Sequence, residues 1–175
     1  MINLNIIEPS EGQPIKTIYF SDAQGWCFRV AHFLGEILVL DEIKEFSEVK
    51  QIVSETLFNA NYQVIAYKNY LKDSTGKLIG SEDFEMVDGK LKKLNTLLFE
   101  VVNKDEHHIK QKWHNNRDEW VYSTESSEEF DFRYVKPNDE IVDNDELHDF
   151  LEIYKPKEFG EIRNEFLDQI VKENT

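Results

Sequence analysis

One cysteine, Cys27, is all the chain has for 175 residues, so no internal disulfide can form. Without that cross-link the fold must rest on a core. A chain of this length can supply one, burying about 70% of the surface that its unfolded form exposes. Prolines and glycines are few and scattered, 4 and 7 respectively, which leaves no low-complexity linker and no internal repeat to mark a boundary. Long apolar runs are missing as well. Stretches such as Ile37 to Leu40 fall far short of the roughly 20 residues that a membrane-spanning helix needs. The opening MINLNIIEPSEGQP has neither the basic start nor the apolar run of a secretory signal, and with the lone cysteine this makes the cytoplasm the expected compartment.

Cations are the scarcest resource relative to their opposites: 20 Lys and Arg against 35 Asp and Glu, a formal charge of -15. Direct nucleic-acid binding is thereby disfavoured, because each phosphate contact needs a cation and this field repels the backbone. Anionic lipid surfaces are disfavoured for the same reason. The electrostatic complement is a basic protein partner.

Catalytic signatures are absent too. The sequence has no GxGxxG, no GxxxxGK[ST], no GxSxG and no HExxH. A calcium loop starting at Asp143 would need a glycine at its sixth position and a glutamate at its twelfth, and finds His148 and Tyr154. His107, His108 and His114 cluster near Trp113 without a zinc spacing, beside Lys110 and Lys112 that would oppose a divalent cation. Cys27 lies two residues from Arg29, which could favour a thiolate, but an unpaired cysteine is most often packed in a core. No cofactor or metal ligand set and no catalytic residue is assigned.

What is present is an aromatic-rich core composition, with 12 Phe, 7 Tyr and 3 Trp. Short β-branched and aromatic segments at 2–7, 16–20, 26–33 and 36–40 read as a strand meander. The apolar positions Ile43, Phe46, Val49, Val53 and Leu57 follow a helical period, with Asp41 or Glu42 at the helix start. A strand over 62–71 turns at Asp73-Ser74-Thr75-Gly76. Residues 90–103 fit a helix through Leu91, Leu94, Leu97, Leu98, Val101 and Val102, although 96–102 also suits a strand. A second meander follows over 108–113, 119–123 and 130–135. Asp143 or Asn144 caps a helix carrying Leu147, Phe150, Leu151 and Tyr154, and Pro156 opens another bearing Phe159, Ile162, Phe166 and Ile170. The expected fold is one α+β domain over 1–175: antiparallel strand meanders with an internal helix after about residue 43 and two C-terminal amphipathic helices.

The charge is unevenly placed. Between Asp118 and Glu152 thirteen acidic residues meet two basic ones, Arg133 and Lys136. Trp120, Tyr122, Phe130, Phe132 and Tyr134 are interleaved among them. Most of these aromatics should face the core, but one or two anchors within an acidic rim would make a tight binder of a basic protein. The candidate partner-binding residues are Glu125, Glu128, Glu129, Asp131, Asp139, Asp143, Asp145, Asp149 and Trp120. If 130–135 is a strand of about 20 Å, the acids at its two ends form a stripe.

In charge, size and lack of motif, and in nothing else, the chain resembles as a functional class the immunity proteins that neutralise nuclease toxins in bacterial competition. That resemblance implies a non-enzymatic inhibitor covering a cationic groove. Two alternatives stand beside it: a phage or plasmid DNA mimic directed against restriction or CRISPR enzymes, and a small-ligand protein or enzyme built on Cys27, His32 or the histidines near Trp113.

Overall fold

A computed structural model describes residues 1–174, and in it eleven β-strands lie side by side in chain order in one antiparallel sheet. They are β1 (Asn3–Ile7), β2 (Ile15–Ser21), β3 (Cys27–Leu34), β4 (Ile37–Phe46), β5 (Ile52–Asn59), β6 (Val64–Lys72), β7 (Leu78–Val87), β8 (Lys90–Asn103), β9 (His108–His114), β10 (Trp120–Ser126) and β11 (Arg133–Val135). Two helices close the chain, α1 (Asn144–Tyr154) and α2 (Phe159–Glu173). Among the described residues no helix is long and apolar enough to cross a membrane.

The turns explain why the chain folds back so often. At Asp22, Ser47, Asn59, Asp73 and Asn115 the backbone N–H bonds to the carbonyl four residues on, and the carbonyl accepts from the N–H three residues on. The side-chain oxygen of the same residue then accepts one or two backbone N–H groups inside the loop. The fourth residue of each loop takes a positive φ: Gly25, Lys50, Tyr62, Gly76 and Asp118. An Asx- or Ser-headed loop thus caps one hairpin after another. Asp88-Gly89, with φ of 51° and 77°, makes the tighter two-residue turn between β7 and β8.

This architecture corrects the expected α+β fold: the chain is mostly β, and among the described residues no helix precedes the two at the C-terminal end. The apolar residues assigned to a helix over about 43–58 belong to a hairpin. Ile43 pairs with Thr56 and Phe46 with Ile52, while Val49 sits exposed in the turn. A strand, a five-residue loop and a strand happened to repeat apolar residues every three or four positions. Asp41 and Glu42 are not helix-capping residues but buried side chains in mid-strand, ion-paired to Arg29 at 2.8 Å and Arg163 at 3.0 Å. Residues 90–103 are likewise the 14-residue strand β8. Its leucines fit both periods because Leu97 and Leu98, as strand neighbours, turn to opposite faces and are each half-buried.

The chain divides into two compact units. The first comprises Met1–Asn69, Phe84–Lys92 and the chain from Phe159 on. Its register aligns Tyr19, Val30, Glu42, Leu57 and Ala66 across β2 to β6, with Thr17, His32 and Leu40 in the next row. Val30, Leu40, Leu57 and Ala66 are buried there, as are Phe159 and Ile162 of α2. The second unit comprises Tyr70–Asp83 and Lys93–Glu158. Tyr122 is its centre, touching the rings of Trp113, Tyr134 and Phe150. Gly80 matters here because a Cβ at that position would meet the Leu97 carbonyl oxygen of β8.

Candidate partner-binding surface

All nine candidate residues belong to the second unit. β10 places Trp120 and Glu125 five residues apart, and the loop after it carries Glu128, Glu129 and Asp131. β11 is shorter than the sequence suggests, three residues rather than six, because its Arg133 pairs with Glu125 and its Val135 with Ser123 while Phe130 to Phe132 stay in the loop. Next, Lys136 starts a turn in which Asp139 has φ of 68°, and Ile141 returns to bridge Val135. Asp143 then caps α1: its backbone N–H donates to the Glu146 carboxylate at 3.3 Å.

The acids separate into two kinds. Glu125 is 6% exposed and its carboxylate accepts from Arg133 at 3.0 Å, lies 3.1 Å from His108 Nε2 and 3.3 Å from Lys110 Nζ. Burial is the largest influence on it and works against ionisation, but the bonds from Arg133, His108 and Lys110 outweigh burial and leave its pKa below the usual glutamate value. It is a structural anion, already neutralised. Lys110 also reaches Asp139 at 3.5 Å, so one cation touches both acid groups that the sequence placed at opposite strand ends.

Glu128, Glu129, Asp131, Asp139, Asp143, Asp145 and Asp149 are exposed. Two of them have modest partners, His107 at 2.7 Å for Glu128 and Lys110 for Asp139. Every residue of α1 is at least partly exposed, so its acids stand in water beside apolar side chains that are also partly wet.

Trp120 is half-buried. Its indole N–H donates to Ser123 Oγ at 3.0 Å and to the Tyr122 carbonyl at 3.2 Å, while Lys110 and Lys112 lie over its ring. It nevertheless lines an open hollow of about 500 Å³ with Pro137, Phe150 and Tyr154. Lys136 lines the same hollow, held over Phe150 and bridged to Glu146 at 3.5 Å. A second apolar feature escaped the sequence reading: Phe132, flanked by Asp131, is 58% exposed and stacks edge-on against Tyr134. Alternation of aromatics along a strand pointed inward for Phe132, and only the shortness of β11 releases it.

The nucleophile and metal candidates do not assemble. Cys27 is half-buried with its thiol donating to the Arg29 carbonyl at 3.5 Å. His107 and His108 are spent on separate glutamates, Glu128 and Glu125. His148, Asp149 and Glu152 on α1 bring one ligand-type atom each to within 4.8 Å of one another, all exposed, with His148 and Glu152 3.1 Å apart. Comparison with protein-family models and with curated proteins found no match to this chain, so the surface stands on its own geometry.

Proposed function

We propose that the chain is an acidic inhibitor of the immunity-protein kind, binding a basic, nuclease-type protein through α1 and the segments that flank β11. The observation that carries this reading is the hollow lined by Trp120, Pro137, Phe150 and Tyr154, with exposed carboxylates at Asp139, Asp143, Asp145 and Asp149 on the segments that supply three of those four walls. An aromatic-walled recess with the Glu119 carboxylate in its lining, and with Lys136 drawn to Glu146, suits the side chain of an arginine or lysine, which offers both an alkyl stem and a charge. Carboxylates in water attract such a partner over a Debye length, and the apolar recess and Phe132 then hold it by desolvation. Glu125 contributes by shaping this face and not by touching the partner.

The test is capture from a host lysate at low salt by the wild-type chain and by a variant carrying Glu129→Lys, Asp143→Lys, Asp145→Lys and Asp149→Lys, followed by a nuclease assay on what is retained. The expected result is a basic nuclease that binds only the wild type and is inactive while bound. Equal capture by both chains, or a captured nuclease that still cleaves, overturns the proposal.

A further inference from the structure

The first unit holds a recess of a different character. α2 lies over the sheet face that carries Tyr19, Val30, His32, Glu42 and Lys44, and Arg163 and Asn164 of α2 close the recess from above. The volume is about 330 Å³, at the small end of the range for sites that take a small molecule. The strand register is what assembles it. Tyr19, Val30 and Glu42 form one row, His32 occupies the next, and Lys44 follows Glu42 on the same face of β4.

His32 is 6% exposed, and its two ring nitrogens are treated unequally. Nδ1 lies 3.1 Å from Thr17 Oγ1. Nε2 is buried without a hydrogen-bond partner. Its nearest charged neighbour is Glu42 Oε2 at 3.9 Å, too far for a direct hydrogen bond, yet close enough for one oxygen atom to sit within about 2.8 Å of both. Leaving a buried imidazole nitrogen unpaired is costly, and an inserted hydroxyl would resolve it, accepting from Nε2–H and donating to Glu42. Glu42 is 2% exposed. Burial, its largest influence, opposes ionisation, and His32 and Arg163 more than offset it, so the acid is held below its ordinary pKa as the carboxylate such a donor requires.

The rest of the lining is rich in donors. Arg163 gives Nη1–H to Glu42 Oε1 at 3.0 Å, which leaves four N–H groups of its fork, and its side chain is one-third exposed. Lys44 meets Glu55 at 3.4 Å with two further N–H directions, and Tyr19 and Asn164 add a hydroxyl and an amide. Only an acceptor-rich group satisfies such a set.

We propose that this recess binds a small hydroxylated oxyanion, a 2-hydroxy carboxylate or a glycerol-type phosphate ester. Its hydroxyl bridges His32 Nε2 and Glu42, and its oxyanion lies against Arg163 and Lys44. The inference uses none of the residues of the acidic surface, and the two stand or fall separately.

The experiment follows the ring nitrogens of His32 and the Nε of Arg163 by NMR while the full chain is titrated with lactate, glycerol 3-phosphate, inorganic phosphate and glycerol. Lactate or glycerol 3-phosphate should shift both residues saturably at millimolar concentration, and at least about tenfold more tightly than inorganic phosphate or glycerol. Arg163→Met and Lys44→Met should each weaken that binding about tenfold, and Arg163→Lys should restore part of it. The proposal is overturned if neither hydroxylated probe saturates, if phosphate alone binds as well, or if Arg163→Met and Lys44→Met, still folded by circular dichroism, bind unchanged. The wild-type titration decides the matter even if a variant does not fold.

Discussion

A carboxylate held by Arg133, Lys110 and His108 inside the protein does a different job from one in water, and Glu125 and Glu129 separate the two. Replacing Glu125 by Gln leaves Arg133, Lys110 and His108 without their shared anion. The expected cost is about 3 kcal/mol of folding stability, read as a lower urea midpoint at unchanged slope. Glu129→Gln, at an exposed loop position, should change stability by less than about 0.5 kcal/mol. The pH dependence has a definite sign. Because the folded pKa of Glu125 is depressed, its contribution is complete above the ordinary glutamate value of about 4.3 and is lost as pH falls through the lower folded value. Urea midpoints measured from pH 7 down to pH 3 should therefore fall less steeply below about pH 4.3 for Glu125→Gln than for the wild type. A variant with an unchanged acid limb would show that the ion-pair cluster does not stabilise the fold.

The hairpin loops are the element on which the fold depends, and they were only half visible in the sequence. Asp73-Ser74-Thr75-Gly76 and Asp88-Gly89 advertise themselves through glycine, whereas Ser47 to Gln51 and Asn59 to Gln63 place Lys50 and Tyr62 at the positive-φ position. With that marker missing, the apolar spacing of Ile43 to Leu57 looked helical. The signal to follow was the Asx or Ser head itself, at Asp22, Ser47, Asn59, Asp73 and Asn115, whose side-chain oxygen can take up backbone N–H groups of a turn. The C-terminal helices were legible because their signals are local: the Asp143–Glu146 cap of α1, and the apolar spacing of Phe159, Ile162, Phe166 and Ile170 in α2, which starts at Phe159 and not at Pro156. The partners of Glu125 and Glu42 were not, since Lys110, Arg133 and Arg163 reach them only through register and helix packing. A bulky residue in the left-handed region carries about 1–2 kcal/mol of strain, so Tyr62→Gly should stabilise the protein by about 1 kcal/mol despite glycine's freer unfolded state. Asn59→Ala removes the acceptor of the Asn61 and Gln63 N–H groups and should cost about 1–2 kcal/mol. Thermal or urea unfolding of the two variants checks both signs, and destabilisation by Tyr62→Gly would mean that the tyrosine ring contributes more than its backbone strain takes away.

At the scale of the whole molecule a formal charge of -15 acts in two opposite ways under the same change of conditions. Within the chain the unpaired carboxylates repel one another. Screening that repulsion favours the folded state more than it harms exposed ion pairs such as Lys50 with Asp22 or Arg117 with Glu119, which contribute little individually. The buried clusters around Glu42 and Glu125 are screened least. Melting temperature should therefore rise as sodium chloride is added up to about 0.3 M, where the Debye length has shrunk to roughly 6 Å. Capture of the proposed basic partner should respond the other way. The association rate should fall severalfold over the same range, with dissociation nearly constant, because salt removes the long-range attraction but not the apolar contact at the Trp120 hollow. Calorimetry and stopped-flow mixing in one salt series measure both. If the melting temperature falls with salt, paired charges dominate the surface; if the association rate ignores salt, the exposed acids of α1 are not what a partner meets first.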